Sequence, residues 1–331
     1  MRRWLVESFG NPAEIWRLQE DADSFDPEPG QIKIEVEAAG LGLPDVLMCN
    51  NNYPLTPPLP FTPAQEAAGK VIAVGSGVDK ALIGTRVLGP TLFQAQRGGL
   101  AQSCLMHAAG ALPIPDEMTG VTAAGFFIPY QTAWVALVRR AKITPEDTVL
   151  VLGASGSSGA AAVALAKAKG ARVIAIAGGA EKAAFCTSVG ADEVIDRKRQ
   201  DITKTALELT GGKGVSLVFD PVGGNPGRAA FKAMAFEGRF LVIGYASGEW
   251  ARISLVETLM KNISLLGAMP VGYTPQQVLA AHEDLIRHWR NGSLKLAAPQ
   301  VFDFDNARKA VEHIAAGKVE GKVVVKISDK Q

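Results

Sequence analysis

Cysteine is scarce in this chain. Cys49, Cys104 and Cys186 are the whole supply, and no two are spaced as C-x-x-C. That excludes a disulfide framework and argues against a structural zinc lobe. The four histidines offer no metal cluster either. His107 stands alone, His282 and His288 fall on a helix that reads as solvated, and His313 falls on another. No apolar run approaches the roughly 18 residues of a membrane span. An excess of charge is missing too: 34 Lys plus Arg face 33 Asp plus Glu, for a net charge of +1. That balance argues against nucleic acid or a membrane surface as partner, and there is no basic–aromatic stretch for RNA. The opening MRRWLVESFG has no apolar stretch behind its arginines. The expectation is a chain without a signal peptide, working in a reducing, cytoplasmic compartment. Repeats of solenoid period and low-complexity tracts are also absent.

What is present is an ordinary globular composition. The 331 residues are 47% hydrophobic and 20% charged, enough to bury a core and long enough for two domains. The first third reads as β with turns. Residues 31–39 alternate apolar and polar, and 69–78, 84–89 and 99–105 look like further short strands. The five prolines of 50–63 make a rigid surface loop and exclude a central strand. From about residue 148 the texture changes to strand then helix. Strands are expected at 148–153, 171–177, 193–195, 215–220, 238–244 and 263–268. Helices are expected at 157–170, 180–190, near 199–210, at 225–235 and near 275–291, with a last strand in 318–328. Fully apolar strands alternating with helices mean a parallel sheet covered on both faces.

The sharpest chemical signal is VLVLGASGSSG at 149–159, a buried strand running through a glycine loop into an Ala-rich helix. Gly156 would let the backbone approach a pyrophosphate, and Gly159 would let helix and strand pack closely. Ser155, Ser157 and Ser158 lie beside the helix N-terminus, with its unpaired N–H groups. The pattern is A-x-G-x-x-G, with Ala154 in the first glycine's place. Its setting between strand and helix marks a dinucleotide loop. A P-loop would need a lysine after the glycines. A nucleophile elbow would need glycine where Ser157 stands.

An NAD site usually ends its second strand on an acid that binds the ribose 2′-hydroxyl. Here that strand ends Ala177-Gly178-Gly179, without a carboxylate. Lys182 follows, and Arg197-Lys198-Arg199 come after the third strand. Missing acid and nearby cations suit a 2′-phosphate, so the expected cofactor is NADPH.

These residues carry a family likeness. GKVIAVGSGV (69–78), GTRV (84–87), GGLAQ (98–102), QTAWVAL (131–137), GADEVID (190–196) and LTGGKGVSLVFDPVGG (209–224) fall in one family's order. The chain resembles the medium-chain dehydrogenase/reductase superfamily, specifically its zinc-free quinone oxidoreductase (zeta-crystallin-like) branch. The resemblance implies an α/β protein. A GroES-like β-rich catalytic domain, 1–122 plus 269–331, would accompany a doubly wound Rossmann domain of 123–268 that binds NADP(H). The active site would lie between them. A homodimer would form through the strand near 262–268.

The resemblance also carries site expectations. The zinc-dependent branch has a Cys ligand where this chain has Gly42 and a His where it has Gln65, so no metal is expected. Without one, the site can pass a hydride from a nicotinamide to a quinone or a conjugated enone, whose own conjugation spreads the charge. Tyr53, in NNNYP, matches a tyrosine proposed as proton donor in enoyl-thioester reductases and is the catalytic candidate. Thr132, Tyr245 and Lys322 match positions near the cofactor. Gly42 replaces an asparagine usual in quinone reductases, Leu47 a second tyrosine, and Gly179 a serine often beside the 2′-phosphate. The expected function is NADPH-dependent reduction of a small-molecule quinone or enone. An enoyl-thioester (enoyl-CoA) reductase is the alternative within the class, and a non-catalytic NADPH sensor or crystallin-like binder the alternative outside it.

Overall fold

Six apolar runs, each closed by glycine or a polar turn, line up as a parallel sheet in the computed structural model, which describes residues 1–20 and 25–328. In chain order the strands are β1 (Thr148–Val151), β2 (Arg172–Ala177), β3 (Glu193–Asp196), β4 (Val215–Asp220), β5 (Met234–Val242) and β6 (Ser264–Gly267). Their order across the sheet is β3-β2-β1-β4-β5-β6, every pair parallel. This is the doubly wound Rossmann arrangement, whose strand order reverses beside β1. Between the strands run α1 (Ser157–Ala168), α2 (Ala180–Val189), α3 (Ile202–Leu209), α4 (Gly224–Lys232) and α5 (Leu255–Met260), and α6 (Pro275–Arg290) follows β6. Leu150, Ile174, Ile176, Val218, Phe231 and Phe240 are buried in one core here.

By contacts the chain forms two compact units, Met1–Ile128 with Ala298–Gln331, and Pro129–Ala297. The second boundary falls later than the 269 expected from the family likeness, because α6 is tied into the second unit. Gln131 Nε2 donates to the Val278 carbonyl at 3.1 Å, Trp134 Nε1 to Asp284 Oδ2 at 2.8 Å, and the Lys169 ammonium sits 3.0 Å from the same carboxylate. The reading of α6 as solvated fails at His282, which is buried with Leu285 and Ile286 on its inner face. A helix with one apolar stripe places one histidine inside and another at its edge.

The first unit is β-rich. Among the described residues its larger sheet runs Gln300–Asp303, Val323–Lys326, Gln31–Leu41, Glu66–Val74, Arg86–Pro90, Leu112–Pro113, with Ser103–His107 also pairing Gln31–Leu41. The strand expected at 69–78 starts at Glu66 and yields to a turn after Val74. The tail strand Val323–Lys326 pairs antiparallel with Ala38–Leu41, which brings a late segment of the chain onto an early strand. Trp16, Phe61, Met48, Ile32 and Ile34 are fully buried in this unit, under the helix Ala307–Ala315. Residues 50–63 hold no strand beyond isolated bridges at Phe61 and Thr62. No described helix is long and apolar enough to cross a membrane.

Candidate cofactor and active site

The loop between β1 and α1 is shaped by two glycines with different tasks. Gly153 turns the chain at φ +56°, a conformation costly for residues with a Cβ. At Gly159 an added Cβ would lie 2.2 Å from the Gly153 carbonyl oxygen and 2.8 Å from Ala154 Cα, so the helix start and the strand end touch backbone to backbone. Gly156 is the N-cap of α1, and no side chain bonds the first N–H groups of that helix. Ser155 is buried; Ser157 and Ser158 are half-buried in its first turn. An anion fits this cradle through backbone N–H groups and the helix dipole, with no lysine needed.

Next along the same sheet edge, β2 ends at Ala177 and the chain turns at Gly178 and Gly179, the latter at φ +99°. No acid occupies this strand end. The nearest carboxylate, Asp196 at the end of β3, is already engaged. Its Oδ1 accepts from the N–H groups of Gly179 (2.9 Å) and Lys198 (3.0 Å), which hold its carboxyl below the usual range. Cations fill the space instead. The Arg197 guanidinium lies 3.3 Å from where a Cβ on Gly178 would be, and Lys198 Nζ lies 3.7 Å from the same point on Gly179. Lys182 is half-buried in the first turn of α2. The sheet therefore brings Ser155–Ser158, Gly178, Gly179, Lys182 and Arg197 to one edge, the carboxyl ends of the strands where α/β folds bind ligands. Tyr245 follows β5 at that edge and packs its ring 4.6 Å from Trp250. Thr132 is buried within the helix Phe127–Trp134 of the same unit.

Tyr53 and Lys322 lie in the other unit. Tyr53 is half-buried against that unit's core, and its carbonyl accepts from the Thr56 hydroxyl at 2.7 Å. Lys322 is buried beside Glu66, with Nζ 2.5 Å from Oε1. The contact is ionic without an aligned hydrogen bond at that oxygen. Glu66 Oε2 accepts from the Ile128 N–H at 2.7 Å. Asp45 completes the cluster, accepting from the N–H groups of Gly42 (2.8 Å) and Ala64 (2.9 Å). Burial pushes its carboxyl up to about 6 despite those donors. Sequence reasoning missed Asp45 and Glu66 as parts of a site; three acidic or basic residues with almost no exposure are the signal, and only the fold shows it.

These side chains do not fit a zinc ion. Gly42 has no donor atom. Among the described residues the Gln65 amide has only the Met48 thioether within reach, at 3.9 Å. Both oxygens of Glu66 are engaged, one by an ammonium. No thiolate or imidazole stands among them.

Comparison with known proteins agrees with this architecture. Residues 28–143 match the family described as alcohol dehydrogenase GroES-like domain, and 159–284 match the zinc-binding dehydrogenase family. The chain is 34% identical over 313 residues to a quinone oxidoreductase-like protein 2 homolog of Nematostella vectensis, covering 92% of this chain and 84% of that one. It is 29% identical to a quinone oxidoreductase of Rattus norvegicus, covering 98% and 97%. Among solved structures it resembles Escherichia coli quinone oxidoreductase complexed with NADPH, with a TM-score of 0.89 and 27% identity over 99% of this chain and 100% of that one.

Proposed function

The chain belongs to the zinc-free quinone oxidoreductase family of the medium-chain dehydrogenases/reductases, and from that premise we propose that it binds NADPH and reduces a quinone or an activated C=C bond. The observation that carries this reading is the acid-free end of β2, flanked by Lys182, Arg197 and Lys198 beside a glycine loop. An Escherichia coli relative of the same fold binds NADPH. When bound, the reduced nicotinamide supplies a hydride. This chain's own residues bind and orient: the α1 N-terminus and Ser155–Ser158 hold the pyrophosphate, Gly178 and Gly179 clear the ribose, and Lys182 and Arg197 meet the 2′-phosphate. Thr132 and Tyr245 position the nicotinamide end. Tyr53 delivers the proton that an enolate needs at its α-carbon.

A homodimer belongs to the same reading. β6 is the edge of its sheet, and Leu255, Val256, Leu259 and Met260 on α5 are each at least 70% exposed. A second copy pairing at β6 would cover an apolar surface that a monomer seldom leaves open.

NADPH oxidation measured side by side with 1,4-benzoquinone, an enone and crotonyl-CoA tests the function. Turnover of a quinone or the enone supports the proposal, turnover confined to crotonyl-CoA makes the enzyme an enoyl-thioester reductase, and binding without turnover makes it a sensor. Tyr53→Phe keeps the ring and removes the proton. Enone turnover should fall by about tenfold or more, the low end of general-acid help. Quinone turnover should hold, because a hydroquinonate oxygen takes its proton from water.

A further inference from the structure

Gly42 has an extended backbone, φ −152° and ψ −177°, that any residue adopts. Its conformation therefore does not demand glycine. A Cβ there would stand 3.7 Å from the Lys322 ammonium. Gly125 does the same lower on the chain, where a Cβ would meet Lys322 Cγ at 3.4 Å. Two glycines thus line the slot that one lysine occupies, each at ordinary contact distance. The side chain in it is 9% exposed. Gly42 itself is partly exposed, so the ammonium end of the lysine lies beside a residue that solvent reaches. Glu66 holds the charge in place through an ionic contact at Oε1, with no N–H aligned on that oxygen. A buried ammonium carries three donors, and one ion pair of this geometry does not use them up.

We infer that Lys322 is a catalytic residue, whose ammonium binds the substrate oxygen on which negative charge develops. The inference rests on the reductase reading above. In an enone, hydride adds to the β-carbon, a C–H bond forms, and the displaced π electrons shift through the conjugated system onto the carbonyl oxygen; in a quinone, hydride adds to one carbonyl oxygen and the electron pair shifts through the ring onto the other. The oxidation of NADPH to NADP⁺ balances the two electrons. Lys322 donates an N–H to that oxygen and keeps its proton; the enolate carbon or hydroquinonate oxygen is protonated afterwards by Tyr53 or water. A fixed cation in a water-poor slot needs no reorganisation as the charge appears, which is where such donors act most strongly.

Removing Lys322 alone would strand the buried Glu66 carboxylate and endanger folding. The double variant Glu66→Gln/Lys322→Met removes both charges together. Gly42→Val keeps both charges and covers the ammonium. In each, kcat for quinone and enone should fall about 10²-fold, the typical loss of one oxyanion donor. NADPH affinity, read by titrating cofactor fluorescence, should stay within about twofold. Without cofactor, the wild type should bind 4-nitrophenol as its phenolate, seen as a rise in the phenolate absorbance, and neither variant should. Wild-type kcat in the double variant overturns the inference. A loss of NADPH affinity matching the loss of rate also overturns it, by making Lys322 a cofactor ligand. If the wild type reduces no acceptor, the function reading fails on its own. Phenolate binding then still decides whether this ammonium receives an oxyanion.

Discussion

Cofactor choice turns on two cations. If Lys182 and Arg197 clasp a 2′-phosphate, changing both to alanine should weaken NADPH and spare NADH. A hydrogen bond to a charged group is worth about 1.5–3 kcal/mol. Arg197 is exposed and Lys182 only half-buried, so solvent and salt reduce each contribution to about 1–1.5 kcal/mol. The double variant should therefore lose NADPH affinity about 10²-fold at low salt. The loss should shrink as ionic strength rises, because screening weakens only the charged contacts. The geometry gives a further handle: Gly178 has no positive φ, and a Cβ there would lie 3.3 Å from Arg197 Nε. Gly178→Asp is thus sterically tolerable, would take Arg197 as its own partner, and should move preference toward NADH. The assay is the dissociation constant of each cofactor by fluorescence titration at two salt concentrations. Equal wild-type affinity for NADPH and NADH would refute the reasoning, since the missing acid and the cations would then have no ligand to discriminate.

Three further outcomes follow from named contacts. Gly159→Ala would set a methyl 2.2 Å from a backbone oxygen that cannot rotate away; it should cost about 1–3 kcal/mol of stability and most NADPH binding, checked by thermal melting with and without cofactor. Asp45 is pushed up to about 6 from 3.8, so its stabilising share is complete below about pH 4 and is lost as pH rises through 6. Between those pH values the wild type should lose roughly 3 kcal/mol from this group that Asp45→Asn does not lose, so denaturant curves of the two proteins at pH 4.5 and 7.5 should converge or cross, and parallel behaviour would exclude it. Leu259→Glu places charge on the exposed face of α5 and should turn a dimer into a monomer by light scattering without lowering the melting point of the second unit.

Much of the second unit was legible because its signals are local. β1, β2 and β4 are runs of Val, Ile, Leu and Phe with turn residues at each end, and the expected spans differ from the observed ones by about two residues or fewer. The glycine loop reads equally well, since strand, turn and helix are contiguous. The first unit was harder. Glu66 begins a strand in a segment that opens on a proline-rich loop, and its buried charge has no counterpart nearby in sequence. The later domain boundary was hidden for a similar reason: the residues that hold α6 to the second unit, among them Gln131, Trp134 and Lys169, are distant from it in the chain. His282 was misjudged because a single polar residue says little about which helix face it occupies.

Gly42 shows what a residue-by-residue comparison loses. Taken alone, glycine in place of a polar residue thins the pocket, and it argues for weakened catalysis. The strand Val323–Lys326 changes that conclusion, because its pairing with Ala38–Leu41 fixes the preceding Lys322 beside Gly42. The absent side chain and the buried cation are one feature, split between the two ends of the sequence. A polar group at 42 would sit on the ammonium and satisfy it, lowering the field available to a substrate. The glycine leaves that field unspent, and Glu66 keeps the charge from being expelled to water. What reads as a deletion in the sequence is the opening through which the charge can act.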